Sequence, residues 1–198
     1  MIQIQELIKH FVLGIVSLIL LGNIMAQAAE TFPKTFYDTV VKVQQEYDAD
    51  SFERKISPAL ITTVASIESG YGDFPNAPTA KSANNYMGRH ALQNEPFVAT
   101  PSGVKLKKYE SIEDNVRDFL KLMKSGNYYK DFRSAIEQNL PIEDQFRALN
   151  NYSTNPKYYD LLYNSYKKRV SPIEQTNKMF QGEKSLGDQM KKLNVPVM

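Results

Sequence analysis

The sequence predicts a mainly α fold, formally α+β, in which helices surround one small irregular or β-hairpin lobe. Apolar residues recur at three- and four-residue spacing between recognisable caps from 31 to 69 and again from 112 to 170. Between those stretches, from Tyr71 to Lys108, the period fails and turn formers collect: Gly72, Pro75, Pro78, Asn84, Asn85, Gly88, Pro96, Pro101 and Gly103. At 198 residues, 42% apolar and 23% charged, with a formal net charge of +2, the composition is that of one ordinary globular domain with room for a real core.

The first residues are a targeting device by pattern. Lys9 and His10 precede the apolar run from Phe11 to Met25, and Ala26-Gln27-Ala28 places small residues where a signal peptidase reads them. The run is shorter than the roughly 20 residues of a membrane-spanning helix, so 1–28 is expected to be a signal peptide cleaved after Ala28 rather than a retained anchor. The exported product then comprises a domain over 29–170 and a polar tail over 171–198, in which weak apolar spacing leaves room for a loosely packed helix. Its periodic segments follow in order. Thr31 to Asp50 predicts a first helix with Pro33 near its start and Phe36, Val40, Val43 and Tyr47 on one side. Ser57 as N-cap, Pro58 at the first helical position and Gly70 beyond the end bracket a second. Val98–Thr100 and Val104–Leu106, separated by Pro101-Ser102-Gly103, predict two short strands.

Helices then resume. Ser111-Ile112-Glu113-Asp114 is a capping-box start to a stripe of Ile112, Val116, Phe119, Leu120 and Met123 that stops at Gly126. Tyr128–Gln138 and Pro141–Leu149 predict two shorter helices. Asn155-Pro156 opens a last one carrying Tyr159, Leu162, Tyr163, Tyr166 and Val170.

Several function classes are excluded. With no cysteine there is no disulfide, thiolate nucleophile or cysteine-bound zinc, and two histidines do not build a histidine metal cage, so no metal or other cofactor is expected. A small charge excess without a clustered basic face gives no reason to expect nucleic acid.

One residue breaks the apolar pattern. In "SPALITTVASIESGYG" (57–72), Glu68 continues the helical face of Leu60, Val64 and Ile67, with Ile61 alongside. Desolvation there disfavours the charged carboxylate, and the negative end of the helix dipole pushes the same way. A carboxyl that keeps its proton near neutral pH is what a general acid requires. Spacing alone leaves open a solvated terminal glutamate, or one paired with Arg54 or Lys55. Glycoside chemistry usually needs a second carboxylate. Between Asp73 and Glu110 the sequence offers Glu95, in "HALQNEPFV", as either a base facing Glu68 across a cleft or a solvated loop residue. Glu113 and Asp114 are explained by capping.

Four segments, "ALITTVASIESGYG", "NNYMG", "KKYESIEDNVRDF" and "LNNYSTNPKYYDLLY", occur in the order seen in glycoside hydrolase family 73. The chain resembles that family's N-acetylglucosaminidases, including the Bax-like and flagellar peptidoglycan hydrolases, over about residues 56 to 168. The resemblance implies a lysozyme-like fold, with 29–170 as the catalytic domain, cleaving peptidoglycan glycan strands after N-acetylglucosamine. Residue by residue, Glu68 matches the general acid, Asn85 and Gly88 match an N-L-F-G turn, and Tyr152 and Tyr158 match a Y-A-T-D-P-x-Y motif. Tyr86 and Met87 stand where the family has Leu-Phe, Asn155 stands where it has Asp, the hairpin segment is shorter than in flagellar members, and no Thr-Glu pair marks the second acid.

With no tryptophan in the chain, sugar stacking falls to tyrosines near these motifs. Tyr71, Tyr86, Tyr109 and Tyr158 are candidates alongside Asn85 and Gly88, each also readable as a half-buried core aromatic. The motif match places the Tyr152 hydroxyl opposite the acid, where it would position water or stabilise charge. Glu68 would protonate the glycosidic oxygen. Either Glu95 then activates water, with carboxyls roughly 6.5 to 9.5 Å apart, or the substrate's acetamido group assists. A lytic transglycosylase and an inactive glycan-binding module are the competing readings. Glycan strands are the expected partner, a membrane only during export, and the tail is a candidate contact for an envelope or secretion-machinery partner. The expected location is periplasmic or secreted.

Overall fold

A computed structural model describes residues 32–70 and 77–179. The expected signal peptide, Tyr71 and the tail beyond 179 lie outside the described residues. The chain begins with α1 (Phe32–Gln44), whose Phe36, Val40 and Val43 are fully buried. Ser51 caps the single turn α2 (Phe52–Lys55) by accepting the Arg54 N–H.

The central element is α3 (Pro58–Ser69). Ser57 Oγ accepts the Ala59 N–H at its start, and Gly70, at φ +61°, closes it in the left-handed conformation that costs glycine nothing. Ala59 through Ser66 are all buried, so this helix is enclosed on every side rather than along one stripe. Small side chains permit that. Ala59 and Ala65 let neighbours approach, and Thr63 and Ser69 return their hydroxyls to the carbonyls of Ala59 and Ala65, both at 2.7 Å, so burial leaves those donors paired. Packed around α3 are α1 and the late helix α8 (Tyr158–Ser165).

The segment expected to be irregular contains one helix, α4 (Ala77–Ser82), that periodicity did not predict. Six residues make too few turns to show a period, and Pro78 and Asn84 read as breakers although Pro is tolerated in a first turn. The hairpin is β1 (Phe97–Ala99) and β2 (Lys105–Lys107), antiparallel with Val98 opposite Leu106. Each strand lies one residue from its expected position, toward the open end of the hairpin. At its tip Thr100 accepts the Val104 N–H on Oγ1 at 3.0 Å and Gly103 takes φ +84°.

Next comes α5 (Ile112–Ser125), capped by Ser111, whose Oγ accepts the Asp114 N–H; Val116, Phe119, Leu120 and Met123 face the core. A 3-10 turn (Asn127–Tyr129) leads into α6 (Lys130–Glu137) and then α7 (Ile142–Ala148). Helix α8 passes through a π-helical turn (Tyr166–Val170) and remains helical over 171–179. The widened turn lies just before Pro172, whose ring has no N–H for the carbonyl one turn back. Beyond it Ile173 packs with Tyr37, Ala59 and Val170, and Tyr166 donates to Glu174 at 2.9 Å. The main core joins α1, α3, α5, α6, α7 and α8 through Phe36, Leu60, Leu120, Phe132, Phe146 and Leu162.

Candidate active site

Glu68 stands in the last turn of α3, half-buried, where the enclosed helix reaches the surface. Tyr158, the first residue of α8, donates its hydroxyl to Glu68 Oε1 at 2.8 Å. Burial pushes the Glu68 carboxyl above the usual carboxylate range, and the Tyr158 hydrogen bond draws it partly back. The Tyr158 hydroxyl is itself pushed far up, by burial and then by the Glu68 charge, so it stays a neutral donor. Arg54 lies in a separate cleft with Tyr37, Asp38 and Glu174, so the alternative pairing of Glu68 with Arg54 is not formed.

The other carboxylate oxygen faces backbone. A Cβ added at Gly88 would lie 3.0 Å from Glu68 Oε2 and 3.6 Å from Glu68 Cβ, and Gly88 holds φ +66°. Both features call for glycine. The turn that presents it is held from three directions. Fully buried Asn85 donates to the carbonyls of Arg89 at 2.7 Å and Lys107 at 2.9 Å and accepts the Arg89 N–H at 3.0 Å. That ties the turn to β2. From α5, Asn115 Oδ1 accepts the Tyr86 N–H at 2.8 Å. From the loop before α8, Tyr152 donates its hydroxyl to the Met87 carbonyl at 2.7 Å.

Tyr152 therefore fixes the turn rather than touching the acid directly. Its ring stacks on Tyr158, with centroids 6.1 Å apart and planes at 20°, and meets Phe119 edge-on at 5.9 Å. Tyr129 continues this aromatic row at 6.1 Å from Tyr152. Two expected sugar platforms are placed elsewhere. Tyr86 is 4% exposed and packs edge-on against Phe36, so it fills the core rather than offering a face to a sugar. Tyr109 is 6% exposed and donates to Asp118 at 2.6 Å, with the Lys107 ammonium over its ring. Asn85 has its side-chain groups spent on backbone, so it shapes the turn without facing a ligand.

Glu95 belongs to the hairpin lobe. Its Oε2 accepts the Leu92 N–H at 2.8 Å and its Oε1 meets Lys107 Nζ at 2.7 Å. Those partners, the backbone N–H first, hold its carboxyl below the usual range. Lys107 and Arg89 also reach Asp118, at 3.6 and 3.3 Å, in a charged network between hairpin and α5. Sequence reasoning missed Tyr129 and Arg89. The signals available were the Tyr128-Tyr129 pair two residues after helix-ending Gly126 and the cation directly after "NNYMG". Among the described residues no group of three or more potential metal ligands gathers.

Comparison with known proteins gives the family and the fold. A family model described as mannosyl-glycoprotein endo-beta-N-acetylglucosaminidase matches residues 44–169. The fold is similar to a peptidoglycan hydrolase from Sphingomonas sp. A1, at 17% identity over 72% of this chain and 91% of that one, TM-score 0.53. It is also similar to the glycoside hydrolase domain of Salmonella typhimurium FlgJ, at 20% identity over 78% of this chain and 99% of that one, TM-score 0.53. No curated protein sequence matches significantly. With the family model spanning most of the described residues and the lysozyme-like helical fold shared, the chain belongs to the glucosaminidase family, the family 73 glycoside hydrolases that its motifs resemble.

Proposed function

We propose that this chain is an exported hydrolase that cuts peptidoglycan glycan strands after N-acetylglucosamine, with Glu68 as general acid, in a catalytic domain over 29–170. The observation that supports the assignment is the seat of Glu68: one oxygen on the Tyr158 hydroxyl at 2.8 Å and the other against Gly88, with no cation among its described partners. A carboxyl kept protonated by burial gives its proton to the glycosidic oxygen as the bond to the anomeric carbon breaks. The leaving sugar departs as an alcohol and the charge left on Glu68 is met by Tyr158, whose bond to a charged acceptor strengthens at that moment.

Water completes the reaction. Glu95 has both oxygens engaged, by Leu92 and Lys107, which favours participation of the substrate's acetamido group over a Glu95 base. In that route the acetamide oxygen closes on the anomeric carbon as the leaving group departs, and water then opens the ring and restores the acetamide. Tyr152 serves as a positioning residue through Met87. Family membership supports work in the cell envelope or outside the cell, and the signal-like N-terminus supports the periplasm or the secreted state.

Digestion of purified peptidoglycan followed by mass spectrometry tests this reading. Wild-type protein is expected to release fragments ending in reducing N-acetylglucosamine, and Glu68→Gln to release none while retaining its circular dichroism spectrum. Anhydro ends would indicate a transglycosylase, and bound but uncut strands a glycan-binding module; either result rejects the hydrolase.

A further inference from the structure

Tyr128 is 78% exposed, more than the other exposed large apolar side chains among the described residues, yet the turn carrying it is firmly built. Arg133 donates from Nη1 to the carbonyls of Met123 at 3.1 Å and Gly126 at 2.7 Å. A Cβ at Gly126 would lie 2.6 Å from the Leu122 carbonyl oxygen and 2.7 Å from the Tyr129 ring, so that ring is pressed against bare backbone. Asn151 Nδ2 donates to the Tyr128 carbonyl at 3.2 Å, tying the turn to the residue before Tyr152. Tyr129, Tyr152 and Tyr158 then run in ring contact to Glu68.

Folding gains little from the Tyr128 ring itself, because that ring stays in water while its neighbour Tyr129 begins the row. An exposed aromatic carried on a turn whose backbone is pinned, next in the chain to a residue of the row that reaches the carboxyl, has part of its ordering cost met during folding and is preorganised for a ligand. Resting on the proposed function above, we infer that Tyr128 is a substrate-binding residue that stacks against a sugar ring of the glycan strand outside the pair whose bond is cut. The pyranose offers an apolar C–H face to the ring, and the phenolic hydroxyl stays free to bond outward. The aromatic row gives the site its continuity with the acid.

The absence of tryptophan elsewhere makes Tyr128→Trp a single fluorescent reporter. Placed in a Glu68→Gln background and titrated with soluble glycan strands freed of stem peptides, its emission is expected to shift saturably. In parallel, Tyr128→Ala is expected to raise KM on the same strands about fivefold, from the loss of one aromatic contact, with kcat and Tm close to wild type. Cleavage by wild type without an emission shift, and with an unaltered KM for Tyr128→Ala, overturns the stacking role and leaves the hydrolase reading standing. No cleavage by wild type together with an emission shift overturns the hydrolase reading and upholds the sugar contact. Neither cleavage nor shift overturns both.

Discussion

At the scale of single side chains, Glu68 and Gly88 carry the proposed chemistry. With Glu68 as the proposed general acid, its proton is needed for turnover, so the rate should fall as pH rises through the carboxyl's pKa, which burial has moved upward. Tyr158 opposes that shift by favouring the charged form. Removing its hydroxyl with Tyr158→Phe should therefore raise the Glu68 pKa further and carry the alkaline limb of the kcat profile to higher pH, even as kcat falls by about 10-fold or more through lost charge stabilisation. A limb that moves to lower pH would show that another group sets the titration. The glycines separate strain from contact. Gly88 and Gly103 both hold positive φ, at +66° and +84°, but a methyl at Gly88 meets Glu68 Oε2 at 3.0 Å and one at Gly103 meets nothing within 4 Å. Each alanine should cost about 1 kcal/mol in denaturant unfolding. Turnover should collapse for Gly88→Ala and persist for Gly103→Ala; equal activities would mean that the close approach to the carboxylate has no catalytic weight.

At the scale of elements, the turn from Asn85 to Arg89 links hairpin, α5 and catalytic helix, and Asn85 is its clamp. Asn85→Ala takes their partner from the Lys107 carbonyl and the Arg89 N–H and leaves the Arg89 carbonyl with the Lys107 N–H alone, which should cost about 2 kcal/mol in urea unfolding. Because the same turn presents Gly88, kcat should fall at temperatures where the variant is still folded; an intact kcat would detach the clamp from the acid. Much of the element plan was legible in the sequence because caps and stripes are local. Ser57, Pro58 and Gly70 bracket α3 as expected, Ser111 starts α5, and the Val98 to Leu106 pairing follows from the turn between them. The features that escaped depend on partners far along the chain. The π-helical turn before Pro172 leaves no periodic trace, and α4 is too short to have one. Tyr86 and Tyr109 look alike in sequence to a surface aromatic, and only the approach of Phe36 and Asp118 from other elements puts them inside.

At the scale of the whole molecule, the site is assembled from three stretches: Glu68 from α3, Gly88 from the segment before the hairpin, and Tyr158 from a helix 90 residues downstream of the acid. Sequence alone singled out Glu68 through its misfit on an apolar face, whereas its partnership with Tyr158 depends on α8 lying beside α3. That helix does not end at the catalytic domain's expected boundary. It continues through the π-helical turn to residue 179, where Ile173 packs near Tyr37 and Ala59 and Glu174 accepts from Tyr166. The described start of the tail is therefore a buttress for the helix that carries the acid's hydrogen-bond donor. Among the described contacts, ending the chain after Val170 removes the half-buried Ile173 and the hydrogen bonds of Glu174 with Tyr166 and of Asn177 with Tyr37, together about 3 kcal/mol, which for a domain of this size lowers Tm by roughly 10 °C. Since Tyr158 stays anchored on α3 and against Tyr152, turnover of soluble glycan measured well below that Tm should match the full-length chain. A truncated protein with unchanged Tm but lost activity would instead place the tail at the substrate, and would remove it from the fold's support.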